Sequence, residues 1–391
     1  MDINTRLPSW FWISAALGGV GLLGLGLVLV VFPFVFPASL DAFSVVVVGY
    51  GLIGAFLGIS LIVAGSRGWR QIPGRRFCSP RSWWIFLLLS VLFGIAGLLL
   101  PPELQIKPLF GPFHSALIVL PGLFLFSLLS LAAGTEAALS FRRLVLMLSG
   151  GASSVFLAIP AEILGLLISA VASVGVALLL PRGAAEVETL LSLFQRWAER
   201  PPTDEAEFLA VLTSPVVLMT LALTLGIAAP LIEEFVKTLV MGVVGIWVRP
   251  AVRASFVWGA ACGLGFAWLE GVSNGAMGLG GLGGWIATVT TRFLATAMHM
   301  LTGGLVGMGW GWYWQGRRWR LLLAYGGAVI VHGAWNLNLV LSLGGLSLSS
   351  TAPLASGAVL VAGVLFQLTL ILISLVGVVG IPFLLRRRGT A

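Results

Sequence analysis

The chain has 391 residues, of which 59% are hydrophobic and only 9% are charged, and its mean hydropathy is +1.06. Soluble domains carry charges on about a quarter of their residues, so this composition argues against a soluble protein and indicates a polytopic membrane protein. The net charge of +8 does not indicate nucleic-acid binding, because most basic residues lie in short loops between apolar stretches, where they direct topology. Two cysteines are too few for a disulfide framework.

Apolar stretches long enough to cross a bilayer follow one another along the whole chain. A transmembrane helix needs about 20 predominantly apolar residues. The predicted stretches are 11–36, 43–65, 83–100, 113–134, 144–181, 208–248, 254–277, 285–314, 321–343 and 356–385. The sequence therefore predicts an all-α fold, a polytopic transmembrane helical bundle of about ten spans with a range of eight to twelve.

Two of these stretches are too long for a simple crossing. Segment 144–181 contains Pro160 and segment 208–248 contains Pro230, and proline kinks or breaks a helix. Each segment is therefore either one long kinked helix or a tight pair of helices. Single crossings place every basic cluster on one side of the membrane and the acidic segment 182–208 on the other, as the positive-inside rule requires. We therefore predict a multi-pass protein of the cell membrane with both termini in the cytoplasm.

Ionisable side chains inside the predicted spans are few and are concentrated in one part of the chain. Glu162 lies apart from the others, on the long segment 144–181. The rest fall within residues 233–332 and are Glu233, Glu234, Lys237, Glu270, Arg292, His299 and His332. Ionisable residues at bilayer depth are costly and face the bundle interior or a wet cavity, so they indicate a functional site.

The spacing of these residues is helical. Lys237 lies three residues after Glu234 and four after Glu233, so either carboxylate can reach the ammonium group on one helix. His332 and Asn336 are also four residues apart and share a helix face. The sequence therefore predicts an ion pair within one helix and an imidazole beside an amide on another.

Four separate spans bring polar side chains to a similar depth. At a rise of about 1.5 Å per helical residue, each lies about 17–24 Å from the predicted cytoplasmic end of its helix. They are Glu233, Glu270, His299 and His332. This agreement predicts one shared site. Arg292 lies two helical turns before His299 and is predicted to be a structural ion partner or a snorkelling residue.

Carboxylates, imidazoles and an amide at one depth can activate water and stabilise an oxyanion. The same groups can bind a divalent metal such as zinc, although no HExxH helix is present. An ion- or proton-coupled transporter is the alternative function, because midplane carboxylates and histidines also form ion sites. A catalytically silent scaffold is a third possibility. The sequence shows no internal repeat of the kind that would favour the transporter.

Four short motifs in order resemble the PrsW family of intramembrane proteases. They are APLIEEFVK (229–237), GFAWLE (265–270), RFLATAMH (292–299) and HGAWN (332–336). The resemblance covers about residues 230–340 and extends to the CAAX-protease and bacteriocin-processing superfamily. It implies a C-terminal catalytic core resembling the CAAX-protease fold. It also implies an intramembrane endopeptidase that cuts a membrane-anchored protein or peptide substrate within the lipid bilayer.

The resemblance implies roles for the matching residues. Glu233 corresponds to the glutamate that activates water, with His299 and His332 assisting it or holding a metal. Glu234 and Lys237 correspond to a supporting ion pair, although the two glutamates can exchange roles. The implied cofactor is zinc or another divalent metal.

Two further positions complete the implied site. Asn336 corresponds to an oxyanion donor, and Glu270 takes a position that is histidine in CAAX-type members. Family members often follow this acid directly with asparagine, whereas here Gly271 follows it and Asn274 lies one turn on. If a metal is bound, the implied ligands are Glu233, Glu270, His299 and His332.

These features divide the chain into four predicted regions. Residues 1–143 form an N-terminal transmembrane region of four spans. Residues 144–207 form a long kinked span and an acidic extracytoplasmic loop, whose apolar spacing fits either a surface helix or an ordinary loop. Residues 208–343 form the intramembrane protease core, and residues 344–391 form the last span and a basic cytoplasmic tail.

Overall fold

The computed structural model describes residues 7–35, 41–70, 83–200, 205–279, 282–349 and 352–388. Within these ranges the chain is helical and contains no strand, so the predicted all-α fold is confirmed. Cys78 and the basic residues on either side of it lie outside the described ranges.

The helices follow the predicted apolar stretches. Those of the first half of the chain are α1 (Ser9–Val35), α2 (Asp41–Trp69), α3 (Trp83–Leu98), α4 (Pro102–Gln105), α5 (Gly111–Ala133), α6 (Phe141–Leu178) and α7 (Gly183–Glu199). Those of the second half are α8 (Glu205–Leu212), α9 (Pro215–Leu223), α10 (Ala229–Lys237), α11 (Leu239–Val244), α12 (Val252–Gly275), α13 (Leu282–Trp314), α14 (Trp319–Ser347) and α15 (Pro353–Arg388). A π-helix, Thr224–Ala228, joins α9 to α10.

Among the described residues, eight helical segments are long and apolar enough to cross a membrane. They lie on α1, α2, α5, α6, the run Pro215–Val244, α12, α14 and α15. The apolar helix α3 is shorter, with 16 residues. Helix α13 has 33 residues and a single charge, so it is long enough and has few enough charges. It is not among the eight segments because its mean hydropathy is too low. The protein is therefore a polytopic helical bundle, and eight lies within the predicted range.

Both over-long stretches contain one candidate span each. Helix α6 is continuous over 38 residues and includes Pro160. The run Pro215–Val244 covers 30 residues and is interrupted by the π-helix ahead of Pro230. These lengths agree with the prediction of single crossings. The acidic segment between the two spans is helical and forms α7.

The chain forms two compact units. Unit 1 comprises Met1–Val155, Glu234–Ala328 and Ile373–Ala391. Unit 2 comprises Phe156–Glu233 and Val329–Leu372. The peptide bond that joins Glu233 to Glu234 is one of the points where the chain passes from one unit to the other.

In unit 1, α12 and α13 pack closely through glycine residues. Gly259 and Gly263 of α12 face Gly303 and Gly307 of α13. A Cβ atom at Gly263 would overlap the carbonyl oxygen of His299, so a side chain cannot be accommodated there without moving one helix. The glycines therefore set the distance between α12 and the histidine-bearing helix.

In unit 2, α7 packs on the ends of the two spans that it connects. Its Leu190 side chain is buried in a cluster with Ala177, Val211 and Val216. Glu186 Oε1 accepts a hydrogen bond from the backbone N–H of Val216 at 3.1 Å, at the start of α9. An apolar contact and a polar contact thus fix the acidic helix to the beginning of the span that leads to α10.

Candidate active site

Helix α10 turns its charged side chains inward. Glu234 and Lys237 are fully buried and Glu233 is only 7% exposed. Leu231 and Phe235, on other faces of the same helix, are exposed. Apolar residues outside and ionisable residues inside are the arrangement expected of a functional helix at bilayer depth.

In unit 1, the ammonium group of Lys237 lies between a carboxylate and an imidazole. Its Nζ donates to Glu234 Oε1 at 2.6 Å and lies 2.8 Å from Nδ1 of His299. Thr302 Oγ1 donates to the same glutamate oxygen at 3.0 Å. The ammonium also lies 4.5 Å from the centroid of the Phe266 ring, a favourable cation–π distance. The buried ammonium of Lys237 stabilises the carboxylate of Glu234 in its ionised form.

Glu270 of α12 contacts His299 from the opposite side of the ring. Its Oε2 lies 2.6 Å from Nε2 of His299. Its Oε1 accepts hydrogen bonds from Arg292 Nη1 at 3.1 Å and from Asn274 Nδ2 at 2.8 Å. With Lys237 charged, its ammonium donates a hydrogen bond to Nδ1 of His299, and a neutral ring then carries its hydrogen on Nε2, the nitrogen nearer to Glu270.

In unit 2, Glu233 of α10 faces His332 of α14. Oε2 of Glu233 lies 3.8 Å from Nε2 of His332, and both residues are buried. This separation is too long for a hydrogen bond. Two atoms that each lie about 2.0–2.2 Å from one zinc ion can be this far apart. The pair therefore fits a shared metal ion, and it also leaves room for a polarised water.

Asn336 lies one helical turn after His332 on α14. Its Nδ2 donates to the backbone carbonyl oxygen of Leu225, in the π-helix, at 3.1 Å. One of its two amide hydrogens is thus used by the backbone. The oxyanion role that the sequence predicts for Asn336 would have to use the other hydrogen.

Three contacts of the site were not predicted from the sequence. Thr302 bonds Glu234, Asn274 bonds Glu270, and Leu225 accepts from Asn336. Asn274 follows its partner by four residues on one helix, a spacing that offered a signal. Thr302 and Leu225 contact residues of other helices, and nothing in the sequence marks those contacts.

Comparison with known proteins decides the class of this site. The chain matches the PrsW family intramembrane metalloprotease over residues 163–372, more than half of its length. The chain belongs to this family. The matched region contains every residue predicted for the site, and the predicted family is confirmed. Neither the curated proteins nor the solved structures give a match.

Family membership makes this PrsW-family protein an intramembrane protease, a hydrolase in a lipid bilayer that acts on protein substrates. The family consists of metalloproteases, which agrees with the predicted divalent metal. Glu233, His299 and His332 are each buried and each offer one atom of a type that ligates zinc.

Proposed function

We propose that the protein hydrolyses peptide bonds of membrane-associated proteins with Glu233 as the group that activates water. The observation that carries this proposal is the buried pair of Glu233 and His332, 3.8 Å apart. The neighbouring Glu234 is bonded to Lys237 and Thr302 and is therefore suited to support. Glu233, whose Oε2 faces Nε2 of His332, is the proposed base.

The proposed reaction uses groups within this pair. Glu233 takes a proton from water, and the resulting hydroxide attacks the carbonyl carbon of the scissile peptide. His332 lies close enough to bind the water or the oxygen that becomes negative. Glu233 then returns the proton to the amide nitrogen as the carbon–nitrogen bond breaks, which leaves a carboxylic acid and an amine.

The unit 1 cluster is proposed to position His299. Lys237 and Glu270 contact its two ring nitrogens, and Arg292 holds Glu270. When a divalent metal is bound, Glu233 and His332 would hold it, and it would polarise the substrate carbonyl or the water as a Lewis acid. Glu234 of this cluster directly follows Glu233 in the sequence.

We also propose that both termini lie in the cytoplasm and that residues 208–343 form the catalytic core. The positive-inside rule supports this orientation, because basic residues cluster in the cytoplasmic loops and tail that it predicts, at 142–143, 317–320 and 386–388. The acids of α7 lie between two candidate spans, on the side that the same rule assigns to the outside. A cysteine in place of the exposed Thr189 should react with an impermeant thiol reagent in intact cells. One at the C-terminus should react only after the cells are permeabilised.

The test uses purified protein in liposomes with membrane-anchored peptide substrates. Glu233→Gln and His332→Ala should each lower the cleavage rate by about 100-fold or more, the usual contribution of a general base or acid. Glu136→Gln is the control, because Glu136 lies at an exposed turn, where it forms an ion pair with Arg253. If both site variants cleave at the wild-type rate, the proposed chemistry is wrong.

The same liposomes test the transporter alternative. A pH-sensitive dye inside them reports proton flux. Flux that depends on Glu233, combined with cleavage that does not, would assign the carboxylate to transport. We expect the reverse result.

A further inference from the structure

The helix that leads to Glu233 changes its pitch just before that residue. In the π-helix Thr224–Ala228, the N–H of Ala229 donates to the carbonyl oxygen of Thr224, five residues earlier. A π-turn holds one extra residue and so rotates everything after it by about 100° relative to an uninterrupted α-helix. The direction in which Glu233 points therefore depends on this turn.

Pro230 accounts for the change of pitch. Its ring would clash with the carbonyl group four residues earlier, that of Gly226, if the helix were regular. In the π pattern the next hydrogen bond would run from residue 230 to the carbonyl oxygen of Leu225, and proline has no N–H to make it. Asn336 Nδ2 donates to that oxygen instead. A side chain of α14 thus supplies the hydrogen bond that Pro230 lacks.

Helix α14 approaches the π-turn closely enough to make this bond. A Cβ atom at Gly333 would overlap the carbonyl oxygen of Gly226, so the approach requires glycine. On the other side, a Cβ atom at Gly226 would lie 2.7 Å from the Leu337 side chain. His332, next to Gly333, faces Glu233. The residues of α14 that contact the π-turn are therefore next to His332, the residue that faces Glu233.

We propose that Asn336 is a positioning residue, whose bond to Leu225 keeps the π-turn in place and thereby points Glu233 at His332. Inside a membrane, an unsatisfied carbonyl group is costly. Without Asn336 the Leu225 carbonyl oxygen would lose this donor, the π-turn would lose a hydrogen bond that holds it to α14, and Glu233 would no longer be held toward His332. The inference rests on the proposed function in that Glu233 is the base.

The first test is the kinetics of Asn336→Ala in liposomes. We expect kcat to fall about tenfold or more while KM changes by less than about threefold, since the change acts on the base and not on substrate binding. Asn338→Ala is the matched control. It removes the same amide from the same helix, two residues on, and its Oδ1 has no hydrogen-bond partner among the described residues. Asn336→Ala with wild-type kcat would overturn the proposal.

The second test is Pro230→Ala, which removes the clash with the Gly226 carbonyl and restores an N–H at position 230. That N–H can donate to Gly226 in an ordinary α-helical turn, so Glu233 should turn away from His332 and kcat should fall about tenfold or more although Asn336 is intact. Adding Asn336→Ala to Pro230→Ala should lower kcat no further, because the turn that Asn336 holds is already lost. A further fall as large as that of Asn336→Ala alone would overturn the proposal in favour of direct oxyanion binding.

The third test reads the turn itself and needs no turnover. Hydrogen exchange of the backbone amides of residues 229 and 231–233 in the full-length protein should accelerate in Asn336→Ala and stay at the wild-type rate in Asn338→Ala. Unchanged exchange in Asn336→Ala would overturn the proposal. The exchange rates do not depend on cleavage. Failure of the proposed function would instead be seen as wild-type cleavage by Glu233→Gln. If Asn336→Ala fails to fold, the double variant is compared with Pro230→Ala: equal activity supports the proposal and lower activity overturns it.

Discussion

Nε2 of His299 lies 2.6 Å from Oε2 of Glu270, on a neighbouring helix. Nδ1 of the same ring lies 2.8 Å from the ammonium group of Lys237. An imidazole held at both nitrogens by charged groups has one orientation and one preferred position for its hydrogen. We therefore expect Glu270 to orient His299, and Arg292, which lies 3.1 Å from the other oxygen of Glu270, to hold Glu270 in place.

Glu270→Gln should lower kcat by about 10–100-fold, the usual cost of losing a carboxylate that orients a site histidine. Glutamine keeps the size of the side chain but loses the charge that faces His299 and Arg292. The measurement is cleavage of a membrane-anchored peptide in liposomes. Asn274→Ala should have a smaller effect, because Asn274 bonds only the other oxygen of Glu270. Equal activity of Glu270→Gln and the wild type would contradict the positioning role.

Lys237→Met should destabilise the protein by about 3–5 kcal/mol, because it leaves the fully buried carboxylate of Glu234 without its ammonium partner. The double variant Lys237→Met/Glu234→Gln removes both charges and should recover most of the loss. The Tm of the purified protein in detergent measures both effects. A double variant as unstable as Lys237→Met would show that packing of the lysine stem, and not the charge, is what matters.

Gly263→Ala should destabilise the protein by about 1–3 kcal/mol, as overpacking does. The added methyl group would overlap the His299 carbonyl oxygen and push α13 away from α12. Gly326→Ala is the matched control, because a Cβ atom there has nothing within 4 Å. Cleavage should fall with Gly263→Ala and not with Gly326→Ala. Similar Tm values for the two variants would mean that the helices separate at little cost.

The helices and the burial of the intramembrane ionisable residues were predictable, because hydrophobic length and helical spacing are local properties of the sequence. The pair Glu234–Lys237 followed from a spacing of three residues, and the inward direction of Glu233 followed from the cost of charge in lipid. Contacts between helices did not follow in the same way. The bond from Asn336 to Leu225 depends on a π-turn, and helical spacing alone does not reveal where a turn gains a residue.

Metal removal is the measurement that distinguishes the two forms of the proposed chemistry. Glu233 and His332 lie at a distance that suits two ligands of one ion and exceeds a hydrogen bond. We therefore expect the purified protein to contain about one divalent ion per chain and His332→Ala to contain far less. A chelator should abolish cleavage, and added zinc should restore it. Asn338→Ala should retain the metal. Metal-free protein that cleaves at full rate in the presence of chelator would instead assign the activation of water to Glu233 alone.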